Sequence, residues 1–345
     1  MRLLFVTQKV DKNDGPLGFV HGWIIALAQT FDQVTIICLQ KGESSLPPSV
    51  RVLSLGKETH PSRLRYVALF WKHILAHRNE YDFVLVHMNQ EYVLLGALIW
   101  KALGKKVALW YNHTMGGMLT KVAMALVDLV FHTSPYSFTA HTKRSRRMPA
   151  GIETEHLPFS GESHVPGSIL YIGRLTPIKR PDVLIAATAR LIKQGAEVTL
   201  DLYGAALQKD NAYYEEMVRR IESENLSKRI VFHGSIPNAD VPVIYGSREV
   251  FVNLTPAGNY DKTVLEAMAC GALPVVSSPA FNDIIPPEYR FKEGDSESLA
   301  ETLSNVFSLP KEQKGEQRLR NREYVVTQHS MPVLMRAFKE RFSSL

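Results

Sequence analysis

Residues 168–203 read SILYIGRLTPIKRPDVLIAATARLIKQGAEVTLDLY. An apolar run from Ser168 to Ile172 ends at Gly173, Pro181 opens a stretch with helical spacing to Gln194, and a second apolar run covers 198–203. Proline suits a first helical turn, where its missing N–H leaves no bond unmade. Strands apolar on both faces and joined by a helix are what a parallel sheet covered on both sides requires. This stretch is therefore a βαβ unit, and the same alternation recurs on either side of it.

Toward the N-terminus, residues 3–7, 34–39, 83–87, 107–111 and 129–133 read as strands, and 20–30, 62–77, 93–103 and 119–127 as helices. In the second helix Leu64, Val67, Ala68, Trp71 and Leu75 share one broad face. Toward the C-terminus, 230–233, 250–254 and 273–277 read as strands, and 213–225, 263–270, 296–307, 315–328 and 331–342 as helices. Residues 158–167 hold Pro and Gly without periodicity and read as a linker. The expected organisation is two α/β, Rossmann-like halves, 1–160 and 165–328, followed by a last helix in 329–345. Function is then sought in the loops at the carboxyl ends of the strands.

Length and composition agree with this. The 345 residues are about twice one domain, 45% are hydrophobic and 21% charged, and the two cysteines, Cys38 and Cys270, rule out a disulfide framework. The net charge of +6 is uneven: residues 1–160 carry 18 Lys and Arg against 11 Asp and Glu, whereas the remainder is nearly balanced. No zinc-finger spacing or aromatic–basic repeat directs that charge to nucleic acid. The opening MRLLFVTQKV has the length of a strand and no cleavage site follows it, and no apolar run reaches the roughly 18 residues that span a bilayer. A cytoplasmic protein is expected, soluble or resting on the inner face of a membrane.

Two stretches carry chemistry. In Gly173-Arg-Leu-Thr-Pro-Ile-Lys179 the glycine permits a tight exit from the sheet, Arg174 offers a rigid fork of donors, and Lys179 adds a mobile ammonium. Such a pair can hold a diphosphate; a solvated basic turn has the same composition. In Asn253-Leu-Thr-Pro-Ala-Gly-Asn-Tyr-Asp-Lys-Thr-Val-Leu-Glu266 a strand ends in a small-residue loop containing Gly258, Asn259 and Tyr260, and a helix starts near Asp261, Lys262 and Thr263. Its first amides would attract a phosphate. Glu266 has no basic residue at i+4, where Cys270 stands, and could accept hydrogen bonds from a ribose diol or serve the helix dipole. There is no Walker loop, compact GxGxxG, HExxH or GxSxG, and no clustered Cys–His set that would suggest a metal.

GRLTPIK and the segment VLEAMACGALPVV resemble the retaining glycosyltransferases of the large family 4, which includes bacterial mannosyl-, glucosyl- and N-acetylglucosaminyltransferases. The resemblance covers most of 165–280 and extends more loosely over the first half. It implies the GT-B fold, two Rossmann-like domains facing a cleft, and transfer of a sugar from a nucleotide sugar, UDP- or GDP-linked, to a glycan or lipid-linked acceptor. The anomeric configuration would be retained without an essential metal or other cofactor. It further implies an acceptor domain at 1–160, a donor domain at 165–328, and a terminal helix returning to the first domain. By analogy Arg174 and Lys179 match the diphosphate-binding pair, Glu266 the ribose-binding glutamate, and His113 a histidine beside the donor sugar. Tyr203, Gly204, Phe232 and Gly234 match segments that flank the nucleobase. Asn13, Gly15, Gly18 and His21 lie in a loop similar to the family's acceptor loop, although its frequent Gly-Gly pair is absent; ordinary turn use explains the same residues.

One position departs from the family. The first glutamate of its paired motif is replaced by Gly258, leaving Asp261 or the amides of Gly258 and Asn259 as substitutes. That change keeps a non-catalytic nucleotide-sugar-binding subunit in play; an epimerase on the same architecture is the other rival. Two basic concentrations, Lys57 to Arg78 and Lys143 to Arg147, would suit an anionic membrane surface or merely face water.

Overall fold

The computed structural model describes every residue except Pro16, Glu162, Ser163, Asn238 and Ala239. Pro16, in the expected acceptor loop, and two linker residues thus lie outside the described residues. The chain divides into two compact units: 1–151 with 330–345, and 152–329.

In the first unit the order is β1 (Arg2–Val10), α1 (Phe19–Thr30), β2 (Gln33–Lys41), β3 (Val50–Ser54), α2 (Arg63–Ala76), β4 (Phe83–His87), α3 (Gln90–Ala102), β5 (Lys106–Trp110), α4 (Met118–Leu126), β6 (Leu129–His132) and β7 (Ser145–Arg147). The strands form one parallel sheet in the order β3-β2-β1-β4-β5-β6-β7. Successive side chains of a strand point to opposite faces. Leu3 and Phe5 accordingly enter one core with Trp23 of α1, while Leu4 and Val6 enter another with Phe70, Val93, Trp100 and Met124 of α2 to α4. The first core is closed by the terminal helix (Met331–Ser343), whose Phe338 meets Trp110 at 5.8 Å and Trp23 at 6.1 Å.

The second unit runs β8 (Val165–Ile172), α5 (Pro181–Lys193), β9 (Thr199–Tyr203), α6 (Asn211–Ser223), β10 (Ile230–Gly234), α7 (Val241–Ser247), β11 (Arg248–Asn253), α8 (Lys262–Cys270), β12 (Leu273–Val276), α9 (Ser296–Ser308) and α10 (Lys311–Tyr324). Its parallel sheet is ordered β10-β9-β8-β11-β12. The strand order reverses between β8 and β11, so the loops leaving these neighbours diverge there and leave a crevice.

The structure revises several local expectations. β3, β7 and α7 are additional elements, each short, and β7 is mostly charged. The segment read as a linker is partly built into the second unit: Ser160 N–H donates to the Cys270 carbonyl at 3.0 Å and β8 starts at Val165. The broad apolar face of α2 is not its covered face. Phe70 and Ile74 are buried, whereas Leu64, Trp71 and Leu75 are exposed.

Candidate active site

The two chemistry-bearing stretches leave the adjacent strands β8 and β11, so they meet at the switch point of the second sheet. The exit of β8 is a backbone-only passage. Gly173 N–H donates to the Tyr203 carbonyl at 3.0 Å, and Gly204 N–H donates to the Gly234 carbonyl at 2.7 Å. Gly204 has φ +140°, and a Cβ there would overlap the Gly173 carbonyl oxygen. Three of the expected glycines are thus brought together by close backbone approach. The Tyr171 hydroxyl donates to the Arg174 carbonyl at 2.8 Å, pinning the loop, and the Arg174 side chain stays exposed with no ion pair among the described residues. The Lys179 amide closes a turn onto the Thr176 carbonyl at 2.9 Å, which points its side chain across to β11.

There Lys179 Nζ donates to Asp261 Oδ2 at 2.7 Å and to Thr255 Oγ1 at 2.8 Å. The same carboxylate accepts from Thr255 Oγ1 at 2.8 Å and Asn253 Nδ2 at 3.4 Å. Burial opposes the Asp261 charge, but the Lys179 ammonium and these hydrogen bonds outweigh it and hold its pKa below the ordinary value. Asp261 therefore serves the Lys179 network, and it also sits at the N-cap of α8. Asn253 and Thr255 were not singled out from sequence. The available signal was a polar pair at the end of an otherwise apolar strand.

The first turn of α8 brings its partial positive charge to the same loop. Thr263 Oγ1 is buried there without a hydrogen-bond partner among the described residues. The Glu266 carboxylate makes no hydrogen bond among them either, and its basic neighbour is Lys262 at i−4 instead of a residue at i+4. Burial pushes the Glu266 carboxyl up from its usual range, against the pull of the Lys262 charge, and pushes the Lys262 ammonium down, against the pull of Glu266. Both residues thus lie nearer neutrality than they would in water.

Gly258 has φ +86°, a conformation that disfavours the glutamate expected at this position. Asn259 Nδ2 donates to the Pro256 carbonyl at 3.1 Å, and the Tyr260 ring turns away to stack on Phe281 at 4.6 Å. At the ends of β9 and β10, Tyr203 stacks on His233 at 4.4 Å, and Phe232 meets Tyr214 edge-on at 5.0 Å. His233, which the sequence pattern does not single out, has its Nε2 2.6 Å from Asp201 Oδ1.

The remaining candidates belong to the first unit. His113 follows β5 with an exposed side chain, edge-on to Tyr111 at 5.3 Å, and its carbonyl accepts from Phe138 N–H at 2.9 Å. The early loop is tied internally: Lys9 Nζ pairs with Asp11 at 3.1 Å and Asp14 at 2.7 Å, Asn13 Nδ2 donates to Glu43 at 2.5 Å, and His21 Nε2 accepts from Ser45 N–H at 3.1 Å. Gly15 lies in a turn and Gly18 caps α1. Asn13 and His21 thus have protein partners.

Residues 166–308 match the family model described as Glycosyl transferases group 1. The GtfA subunit of the UDP-N-acetylglucosamine–peptide N-acetylglucosaminyltransferase of Streptococcus gordonii is 30% identical over 129 residues, 37% of this chain and 24% of that protein. Mannosylfructose-phosphate synthase of Agrobacterium fabrum is 29% identical over 112 residues, 32% of this chain and 25% of that protein. The matched part is about a quarter of the length of these curated relatives. The crystal structure of Anabaena HepE, solved in complex with UDP, superposes with a TM-score of 0.80 at 19% identity, covering 100% of both chains. The fold is GT-B. Within this GT-B chain the group 1 match spans both motifs of the second unit, the Arg174–Lys179 loop and the Asp261–Glu266 helix start.

Proposed function

We propose that the chain transfers a sugar from a nucleotide sugar, UDP-linked in the first instance and GDP-linked as the alternative, to a glycan or lipid-linked acceptor with retention at the anomeric carbon. The observation that carries this is the meeting of the Arg174–Lys179 loop with the start of α8 at the switch point of the second sheet. Two cations beside a helix N-terminus suit a diphosphate, and the UDP complex of the HepE structure favours uridine.

In this reading Arg174 and Lys179 neutralise the diphosphate as the bond from the anomeric carbon to its oxygen breaks. Glu266, whose carboxylate makes no hydrogen bond among the described residues, accepts the ribose hydroxyls. Tyr203, Gly204, Phe232 and Gly234 border the base, and the backbone from Gly258 to Thr263 borders the phosphates and sugar. His113 orients the donor sugar. The acceptor hydroxyl forms the new bond on the face the diphosphate leaves, and its proton passes to a departing phosphate oxygen. No protein nucleophile and no metal enter the scheme. Asn13, Gly15, Gly18 and His21 border the acceptor. Two free, buried cysteines fit a reducing cytoplasm, and the enzyme would work on the inner face of the membrane during cell-envelope polysaccharide synthesis.

The left-handed Gly258 favours one second reading, a subunit that binds the nucleotide sugar without transferring it. A thermal-shift series with UDP, GDP, ADP, TDP and CMP, with and without Mg²⁺, tests the shared part. A ligand at 100 times its Kd adds about 2.7 kcal/mol, enough to raise Tm by several degrees. A shift with UDP alone is expected, unchanged by Mg²⁺, and absence of any shift rejects the donor site. Slow hydrolysis of the matching nucleotide sugar then separates the enzyme from the binding subunit.

A further inference from the structure

Helices α2, α3 and α4 lie in one layer over the same face of the first sheet, since Phe70, Ile74, Val93, Trp100, Ala123 and Met124 all point into one core. Their outward sides carry large apolar residues where a water-facing layer would be polar. Leu64 is 85% exposed, Leu98 70%, Met118 73% and Leu119 59%, and Trp71, Leu75 and Val122 are exposed as well. Single exposed leucines are ordinary; a set repeated on three adjacent helices is not. On α4 the spacing is regular. Met118 and Leu119 each lie one helical turn from Val122, on the side turned outward, while Thr120, Ala123 and Met124 are buried. The Trp71 indole N–H donates to the Leu95 carbonyl of α3 at 2.9 Å, so its polar atom is satisfied while the ring remains half in solvent.

The charge on the layer is predominantly positive. The three helices contain Arg63, Arg65, Lys72, Lys101 and Lys121 against Glu91 alone. Between the C-terminal ends of α3 and α4 lies a hollow of about 220 Å³, lined by Lys101 and Lys106, by Lys105 and Arg144, which donate to the carbonyls of Tyr81 and of Ala125 and Val127, and by Asp128 as its one acidic residue. Apolar side chains interleaved with long cationic ones, beside a polar basic hollow, match a surface that is apolar below and anionic above. A nucleic acid would use the cations but not the leucines. A protein partner would leave charged residues depleted at the centre of the patch, and here they are mixed with it.

We propose that the outer face of α2, α3 and α4 rests on an anionic lipid bilayer, with the exposed leucines at the acyl boundary and the basic hollow receiving a lipid phosphate. The proposal deepens the glycosyltransferase reading and rests on it for one consequence. The exposed Met115, in the loop that leads into α4, lies two residues beyond His113, so the acceptor would be an amphiphile presented from that bilayer.

Co-sedimentation with vesicles of phosphatidylcholine alone, and of phosphatidylcholine mixed with phosphatidylglycerol, tests it on the full chain. Binding to the mixed vesicles and little to the neutral ones is expected, weakening as salt rises. Leu119→Glu or Leu64→Glu should lower partitioning by about tenfold each, and Lys101→Glu by about fivefold, with melting temperatures near wild type because all three side chains are exposed. The shift produced by UDP, read on the second unit, should be unchanged in these variants. Failure of the wild type to bind mixed vesicles overturns the proposal and leaves the donor reading standing; vesicle binding without any UDP shift does the reverse. Vesicle binding that survives both leucine substitutions but not Lys101→Glu reduces the face to a plain electrostatic one and also overturns it. A dimer that dissociates on Leu119→Glu would assign the face to a second copy of the chain instead.

Discussion

Lys179 and Asp261 are 82 residues apart in sequence and 2.7 Å apart in space, and each changes what the other can be expected to do. From sequence, Lys179→Ala should abolish nucleotide binding with little effect on stability, because a loop lysine usually faces water. With Asp261 resting on it, the substitution strands a partly buried carboxylate. We expect a loss of about 1–3 kcal/mol in urea unfolding as well as loss of the UDP-induced shift. The double variant Lys179→Ala/Asp261→Asn should regain most of the stability and none of the UDP response. If the single variant is as stable as wild type, the ion pair carries no weight in the fold. Glu266 shows how far a single sequence could be read at this scale. Its type and place were legible, but its partner was sought only at i+4. A helix brings i−4 to the same face equally well, and there the partner is Lys262. The role of Asp261 was not legible, because it depends on which strand lies beside β8.

For whole elements, alternation of apolar runs and helical stretches revealed the long strands and helices, since a buried parallel strand and a helix have different periods. It was weakest on α2, whose sequence RLRYVALFWKHILA is apolar on more than one side. Periodicity then locates stripes without saying which one is covered. The structure covers Phe70 and Ile74, so Phe70→Ala should cost about 3–5 kcal/mol, whereas Leu64→Glu should stay within about 0.5 kcal/mol of wild type. Equal costs in denaturant unfolding would restore the sequence assignment. Short edge strands escaped for a related reason. β7 is Ser-Arg-Arg and was visible only as part of a basic cluster, although the structure puts those cations to local use. Arg144 donates to the Ala125 and Val127 carbonyls at 2.7 and 2.8 Å, closing the end of α4. Arg147 donates to the Thr133 carbonyl at 3.2 Å. Little of that cluster is left for an external anion, and the basic surface lies instead along α2 to α4.

On the scale of the molecule, two parallel sheets were legible from the repeated βαβ pattern. The seam between the units was not, because loss of periodicity at 158–167 marks irregular backbone, not the place where packing changes partners. The structure changes partner after Gly151 and again at Ser330. The terminal helix covers Trp23, Trp110 and Phe131 through Leu334, Phe338 and Phe342. Truncation after His329 should therefore lower the melting of the first unit by many degrees while leaving the UDP-stabilised transition of the second in place. A single transition, lowered as a whole, would show that the units unfold together.

A unit assembled from two stretches separated by another unit also has a history. During synthesis the residues of the second unit have all emerged once His329 has, whereas the first still lacks the helix that shields its tryptophans. The middle of the polypeptide can reach its final packing before the beginning does. In the interval the half made first waits with an uncovered aromatic face, which is where a chaperone would hold it and where crowded nascent chains would first stick together.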